Sequence, residues 1–232
     1  MTDLHSHILP NIDDGAENVD ESIKLLQMLL EQGIQTVCAT PHFYPSRDNP
    51  ESFFEKRQAS YEKLLTSLKG VEYPEILLGA EVAYFPGISR LKEIYDLRIE
   101  GSKILLLEMT MNEWSEYALR ELTEIACMGD MSVVIAHAER YRKYQKDSSW
   151  YRLLDLGVLF QSNASYFVNL KTRRKALKQL KKGEIHFIGS DCHNLTDRVP
   201  QMSDAHKLIK DKIGTDSINQ IQKLFESLSI NK

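Results

Sequence analysis

The feature that most constrains the fold is the regular alternation of short apolar segments with helical patterns. Seven apolar segments predict buried strands, at residues 3–7, 36–39, 76–80, 103–107, 132–136, 158–160 and 185–189. Between them, apolar residues recur at helical spacing, as in Ile23, Leu26 and Leu30. Strands that are apolar on both faces are typical of a parallel sheet covered by helices. The alternation therefore predicts an α/β fold, either a doubly wound sheet or a closed barrel.

Local signals define some boundaries. Asn18 followed three positions later by Glu21 is typical of a capping box at a helix start, and Gly33 predicts the end of that helix. Residues 43–49 predict an exposed loop of the kind that lines binding sites. The sequence contains no linker, repeat or low-complexity segment, so we expect residues 1–232 to form a single domain.

Composition disfavours several classes of function. A formal net charge of −4 argues against a general nucleic-acid scaffold, which usually carries a basic excess. No apolar run approaches the ~20 residues of a membrane span, and polar residues follow Met1 too closely for a signal peptide. The 3 cysteines are widely spaced, which argues for a reducing compartment. We therefore expect a cytoplasmic protein that neither binds nucleic acid nor inserts into a membrane.

Ionisable side chains gather where the predicted strands end. Asp3, His5 and His7 alternate along the first strand and so share one face. Five later strands lead to further candidates, namely His42, Glu81, Glu108, His137, Asp191 and His193. The carboxyl ends of strands build the active site in barrels and in open α/β sheets. Buried carboxylates are costly unless a cation compensates them, so the pattern predicts a metal site.

Each candidate position also has an ordinary structural explanation. A carboxylate after a strand is often a helix N-cap, and a histidine beside an apolar segment is often a hydrogen-bonded core residue. The pair His5 and His7 is by itself weak evidence for a metal. The joint placement of the whole set favours a functional site, because active sites cluster at strand ends. The remaining histidines, His186 and His206, are interpreted as structural or surface residues.

The number and type of candidate ligands predict more than one metal ion. A zinc ion takes about four ligands, and the candidate set is larger. Mixed imidazole and carboxylate ligands suit manganese, iron or zinc, and multinuclear sites of this kind favour hydrolysis of phosphate esters. Arg140 and Arg198 follow two groups of ligands, and arginine matches phosphate oxygens bidentately. A surface salt bridge explains either arginine alone equally well.

The motifs resemble those of the polymerase and histidinol phosphatase (PHP) superfamily. They are the segments DLHSHILP from Asp3, DDG from Asp13, ATPH ending at His42, GAE ending at Glu81, LE ending at Glu108, IAHAER from Ile135 and SDCHN from Ser190. They run in family order as far as the region of residue 200. Within the superfamily, the chain looks like the bacterial manganese-dependent tyrosine phosphatases of capsule and exopolysaccharide operons.

This resemblance implies a TIM-like, distorted seven-stranded (β/α) barrel that forms one PHP-type phosphatase domain and holds three manganese ions, with iron or zinc as alternatives. The implied ligands are His5, His7, Glu81 and Asp191 for the first ion, Glu81, Glu108 and His137 for the second, and Asp14, His42 and His193 for the third. Choosing Asp14 over the adjacent Asp13 rests on the family pattern alone.

The resemblance also implies roles in the reaction. By this resemblance, Arg140 and Arg198 bind the substrate phosphate. As a separate hypothesis about the mechanism, His42 is the candidate general acid if one metal site is only partly occupied. The implied substrate is a phosphotyrosine protein, namely the tail of a bacterial tyrosine kinase that controls capsular or exopolysaccharide synthesis. Neither the oligomeric state nor the individual kinase follows from the sequence.

Other functions are consistent with the same residues. Cys192 and Arg198 have the C-x5-R spacing of cysteine-dependent tyrosine phosphatases, but the loop between them lacks glycine, and two neighbouring aspartates would raise the pKa of the thiol. A small phosphate monoester, such as histidinol phosphate or a nucleotide, is an alternative substrate. An amidohydrolase also carries H-x-H on its first strand, but it leaves both arginines unexplained. Outside the enzyme class, the alternative is a metal-stabilised interaction module without catalysis.

Overall fold

In a computed structural model, the chain forms a curled parallel sheet that is covered by helices. The structure describes residues 1–230. Within them lie nine strands, β1 (Thr2–Ser6), β2 (Thr36–Ala39), β3 (His42–Phe43), β4 (Glu75–Leu78), β5 (Glu81–Ala83), β6 (Ile104–Glu108), β7 (Ser132–Ile135), β8 (Leu159–Asn163) and β9 (Phe187–Gly189). The helices are α1 (Val19–Glu31), α2 (Pro50–Ser67), α3 (Glu116–Ala126), α4 (Asp147–Asp155), α5 (Ala164–Val168), α6 (Arg173–Lys181), α7 (Met202–Lys212) and α8 (Thr215–Leu228).

Every strand pair in the sheet is parallel. Strands β1, β2 and β4 pair in that order, and β3, β5, β6, β7, β8 and β9 follow in a second series. The two series share one register, because Ala39 pairs with Leu78 and His42 pairs with Glu81. Thus β3 extends β2 and β5 extends β4 after short interruptions. One interruption contains Pro41, which has no N–H to donate to a neighbouring strand.

The first strand also contacts the chain that follows the last strand. The Asp191 N–H donates to the carbonyl of His5 at 2.8 Å, and the His7 N–H donates to the carbonyl of Cys192 at 2.9 Å. The sheet therefore curls until its two edges meet at this level. Because the strands are parallel, their carboxyl ends all face the same end of the molecule.

The apolar side chains of the strands alternate between two faces, as the two-residue period of a strand requires. On β6, Leu105 and Leu107 pack outward with the helices, whereas Ile104 and Leu106 pack inward. Phe225 of α8 belongs to the inner cluster, so this last helix covers part of the interior of the curled sheet. The apolar side chains thus fill the interior and the helix-covered face of the sheet, and polar side chains occupy the carboxyl ends of the strands.

The predicted elements are present, with small differences at their ends. All seven predicted strands occur, and β3 and β5 are additional short strands that the sequence did not predict. Asn18 caps α1 by accepting from the Glu21 N–H at 3.0 Å, and Gly33 has the left-handed φ of 80° expected after a helix. The prediction of an exposed loop over residues 43–49 was wrong at its first residue. Phe43 lies in β3 and is buried, because its ring packs against Phe53 of α2.

Candidate metal centre

Four of the predicted ligands converge at the seam where the sheet edges meet. The Nε2 atoms of His5 and His7 lie 3.1 Å apart, and Glu81 Oε2 lies 3.2 Å from the first and 3.3 Å from the second. Asp191 Oδ1 lies 3.6 Å from both nitrogens. All four residues are buried. Asp3 stays outside this group, because its carboxylate accepts from the Ser190 N–H at 2.8 Å and so joins β1 to the end of β9.

A second group lies beside the first and shares Glu81 with it. Glu81 Oε1 is 2.8 Å from His137 Nε2, and Glu108 Oε1 is 3.6 Å from the same nitrogen. His42 also faces these carboxylates, since its Nδ1 lies 3.0 Å from Glu81 Oε2 and 3.8 Å from Glu108 Oε2. The sequence placed His42 only with the third group, so this contact with the second group was not predicted.

The third group lies toward solvent. Asp14 Oδ1 is 3.3 Å from His42 Nε2 and 3.5 Å from His193 Nε2. The neighbouring carboxylate of Asp13 has a different position, because it accepts from His7 Nδ1 at 2.7 Å and from the His42 backbone N–H at 2.9 Å. The two adjacent aspartates therefore have different contacts. Asp14 faces the candidate metal position, and Asp13 orients the imidazole of His7.

Hydrogen bonds on the far side of the imidazole rings aim their Nε2 atoms into the cluster. The Nδ1 partners are Gln161 Oε1 for His5 (3.2 Å), Asp13 for His7 (2.7 Å), the Tyr141 hydroxyl for His137 (3.0 Å) and the Asp191 carbonyl for His193 (3.0 Å). When Nδ1 carries the proton and donates it, the lone pair of a neutral imidazole is on Nε2. This is the arrangement that metal-binding histidines typically show.

The polar atoms at the centre fit a cation better than they fit one another. Among the described residues of this centre, Glu81 Oε2, His42 Nδ1 and His193 Nε2 are buried and form no hydrogen bond of normal geometry, although Glu81 Oε2 and His42 Nδ1 lie only 3.0 Å apart. Buried polar groups are normally paired, so such atoms require an explanation. Burial and the charge of Glu81 raise the pKa of Glu108 to about 7. These observations fit the resident divalent metal ions that a site of mixed imidazole and carboxylate ligands would hold.

The backbone is strained at two of the candidate ligands. His137 has a φ of 31° and Asp191 has a φ of 51°, both in the left-handed region that few residues other than glycine adopt. Strain of this kind costs about 1–3 kcal/mol and concentrates at functional sites. Gly189 allows a close approach at the same place, since a Cβ there would lie 2.6 Å from the Cβ of His5.

Both predicted phosphate-binding arginines reach the mouth of the cluster. Arg140 Nη2 lies 2.7 Å from one oxygen of Asp191, and Arg198 Nη2 lies 2.8 Å from the other. Their side chains remain 38% and 35% exposed. Two guanidinium groups therefore flank the same carboxylate from the solvent side, where they are also available to the oxygens of a phosphate group.

The structure argues against nucleophilic catalysis by cysteine. Cys192 is fully buried and packs in the hydrophobic core. Burial raises the pKa of its thiol strongly, and the charge of Asp3 raises it further, so the reactive thiolate is disfavoured. The C-x5-R spacing to Arg198 is therefore incidental.

Several residues that shape the centre were missed by sequence reasoning. Gln161 Oε1 accepts from the His137 backbone N–H at 2.7 Å as well as facing His5, and Asn163 Nδ2 donates to Asp191 at 2.7 Å. Both lie on β8, whose end carries no ionisable residue. The available signal was the polar segment 161–163 at the carboxyl end of a buried strand. His186, which was interpreted as a structural or surface residue, is structural, because its Nδ1 accepts from the backbone N–H of Phe160.

The fold and this donor cluster are typical of one class of protein, the metal-dependent hydrolases. The sequence profile of the family described as capsular polysaccharide synthesis, CpsB/CapC, matches residues 1–226. The chain belongs to this family.

Two individual proteins show the extent of the similarity. The chain is 27% identical over 234 residues to the tyrosine-protein phosphatase CpsB of Streptococcus agalactiae serotype III, covering 95% of this chain and 94% of that protein. It also matches a crystal structure whose description covers two proteins, YwqE of Bacillus subtilis and CpsB of Streptococcus pneumoniae. Both are described as metal-dependent tyrosine phosphatases. That match has a TM-score of 0.84 and 25% identity, and it covers 98% of this chain and 94% of the other.

More distant likeness concerns the fold alone. A structure described as the histidinol phosphatase HisK of Listeria monocytogenes superposes with a TM-score of 0.52 at 12% identity, covering 83% of this chain and 95% of the other. Within residues 1–230, no helix is both long and apolar enough to cross a bilayer.

Proposed function

We propose that this chain is a metal-dependent protein-tyrosine phosphatase that acts on a bacterial tyrosine kinase controlling capsular or exopolysaccharide synthesis. The observation that carries the proposal is the convergence of Arg140 and Arg198 on Asp191, which itself belongs to the buried His and carboxylate cluster. A phosphate ester placed there meets both guanidinium groups and the cluster together. The relatives named as tyrosine phosphatases match along almost the whole chain, which supports this substrate class.

The three groups of donors suggest three ions, and we propose manganese as the metal. The first ion would be held by His5, His7, Glu81 and Asp191, the second by Glu81, Glu108 and His137, and the third by Asp14, His42 and His193. Glu81 contributes one oxygen to each of the first two groups, as a bridging carboxylate does. The buried unpaired atoms on three of these residues support cation binding independently of the family relationship.

The protein side chains supply binding and charge complementarity. A divalent metal bound here supplies Lewis acidity and positive charge for phosphoester hydrolysis. Arg140 and Arg198 bind the non-bridging phosphate oxygens, where negative charge must be stabilised as the ester bond breaks. A tyrosine leaving group has an ordinary pKa of about 10, so it departs more easily than an alkoxide and depends less on an acid. We assign any proton donation to His42 in molecules whose third metal position is not filled, because a metal-bound imidazole nitrogen has no proton to donate.

The proposal also covers the domain organisation, the closure of the barrel and the cellular location of the protein. We propose one phosphatase domain over residues 1–232, built on seven strand positions if β2 with β3 and β4 with β5 each count as one interrupted strand. The backbone hydrogen bonds between the first and last strand regions support closure into a barrel. We propose the cytoplasm as its location, which the free thiols of Cys38, Cys127 and Cys192 support.

The deciding experiment is hydrolysis of a phosphotyrosine peptide by the purified chain, by chelated protein, and by chelated protein supplied again with Mn²⁺. We expect chelation to abolish turnover, Mn²⁺ to restore it, and Cys192→Ala to retain it. His137→Ala should lose both bound metal and activity. Activity that survives chelation but requires Cys192 would contradict the metal mechanism. Hydrolysis of small phosphate monoesters with no action on the peptide would instead favour the small-molecule alternative.

A further inference from the structure

A small cavity adjoins the third group of ligands. It has a volume of about 260 Å³, and Asp14 and His42 form part of its wall. The opposite wall comes from the loop after β3, through Tyr44, Arg47 and Asp48. None of the chemistry assigned above uses this loop. Because the cavity shares Asp14 and His42 with the third group, these side chains lie beside the place where a substrate phosphate would bind.

The loop holds Arg47 in a defined place. The Arg47 N–H donates to the Tyr44 carbonyl at 2.8 Å, which closes a tight turn. The Tyr44 ring stacks on the His42 imidazole with centroids 4.9 Å apart, and the Arg47 guanidinium lies 4.7 Å from the centroid of the Tyr44 ring. The Arg47 guanidinium therefore packs on the Tyr44 ring, and that ring packs on the candidate metal ligand His42. A guanidinium stacked in this way keeps its N–H donors available.

Arg47 is the cationic side chain of this wall. Within residues 1–230, its exposed guanidinium forms no ion pair, whereas the adjacent Asp48 pairs with Lys56 of α2. Asp14 faces His42 and His193 and also lies 3.7 Å from Arg198 Nη1, so its charge already has partners in the metal group and in Arg198. The charge left for a ligand at the rim of the cavity is therefore positive.

We propose that Arg47, supported by Tyr44, binds an acidic side chain that flanks the phosphotyrosine in the substrate. This inference rests on the proposed function, because it assigns a sequence preference to the same site. The substrate class is thereby narrowed to phosphotyrosine segments with a neighbouring Asp or Glu. Arg47 is a specificity residue that acts on the peptide rather than on the reacting phosphate.

The test is a cycle of two enzymes and two substrates. Wild type and Arg47→Ala are assayed with two phosphotyrosine peptides that differ only in having Glu or Gln beside the phosphotyrosine. We expect wild type to favour the Glu peptide in kcat/KM by about two- to fivefold, the range that exposed charge pairs contribute. Arg47→Ala should lose this preference, and the change should appear mainly in KM, since binding rather than chemistry is affected. Comparing ratios within each enzyme isolates the pairwise interaction.

Two further variants test whether the preference for the Glu peptide comes from the charge of Arg47. Arg47→Glu should reverse the preference, so that a peptide with a flanking Lys becomes better than the Glu peptide. Arg174→Ala, an exposed arginine on α6, should retain the wild-type ratio. The wild-type preference should also shrink as salt is raised, because exposed charges are screened.

The possible failures are distinguishable. Equal ratios for wild type, Arg47→Ala and Arg47→Glu would overturn the assignment of Arg47 while leaving phosphotyrosine hydrolysis intact. A failure of wild type to hydrolyse any of the peptides with Mn²⁺ present would overturn the proposed function, and this inference with it.

Discussion

Asp13 provides the sharpest test of how the metal centre is organised, because it contacts a candidate ligand without being one. Its Oδ2 atom accepts from His7 Nδ1 at 2.7 Å and from the His42 N–H at 2.9 Å, and its Oδ1 accepts from the Gly15 N–H at 2.9 Å. Asp13→Asn preserves the shape of the side chain. It replaces one accepting oxygen by an NH2 group, which has no lone pair for those donors.

The expected consequence is a change of tautomer. If the new amide donates to His7 Nδ1, the ring proton moves to Nε2, which is the atom that faces Glu81 at 3.3 Å. A protonated Nε2 has no lone pair for a metal ion. Loss of a partner that orients a metal-binding histidine costs about 10–100-fold in metal affinity or activity, equivalent to about 1.4–2.8 kcal/mol.

The assay is Mn²⁺ content after equilibrium dialysis at graded metal concentrations, followed by phosphatase activity at each concentration. We expect the curve of Asp13→Asn to move to higher Mn²⁺ by one to two decades, taking the same range of about 10–100-fold. The control is Asp20→Asn, which makes the same chemical change at an exposed position on α1. If Asp13→Asn takes up Mn²⁺ as wild type does, the idea that Asp13 fixes the tautomer of His7 is refuted.

Three further predictions concern stability and are measured by urea unfolding of metal-free protein. Gly189→Ala should destabilise the fold by about 1–3 kcal/mol, because its Cβ would lie 2.6 Å from the Cβ of His5; an unchanged midpoint would show that the strand can move. Gln161→Ala should cost about 1–3 kcal/mol by leaving the buried His137 N–H unpaired, and equal stability would contradict that account. Burial lowers the pKa of His186 from 6.5 to about 4 in the folded state, so below pH 6.5 the unfolded chain binds the proton more readily and stability falls as pH decreases toward 4. His186→Asn should reduce that slope, and an identical slope would exclude His186 as its source.

Sequence reasoning succeeded in placing the ionisable residues that directly follow buried strands. A buried strand that ends in Glu81 or His137 predicts the strand, its direction and a polar group at its carboxyl end, and the structure brings these groups together. The curl of the sheet was harder to predict, because hydrophobic periodicity is the same in an open sheet and in a barrel. It became evident only from the hydrogen bonds between the chain near His5 and the chain near Asp191.

The residues that were missed act through hydrogen bonds rather than through charge. Gln161 and Asn163 have no formal charge, and their importance depends on β8 lying between β7 and β9. The different positions of Asp13 and Asp14 depend on the backbone of a loop, which neither residue type specifies. The contact of His42 with Glu108 depends on the interruption of the strand at Pro41, and interruptions of that kind have no periodic signature.

The seam between the first and last strands has a consequence for biosynthesis. His5 and Asp191 approach to 3.6 Å although they lie near opposite ends of the described chain. Contacts of such long sequence separation give a high contact order and form late, because the intervening loop must first be closed. A nascent chain on the ribosome therefore has no complete centre until residues 191–193 have emerged. Full metal occupancy should consequently report that the chain has been made and folded at least as far as His193, since no N-terminal fragment that ends before Asp191 contains all the candidate ligands.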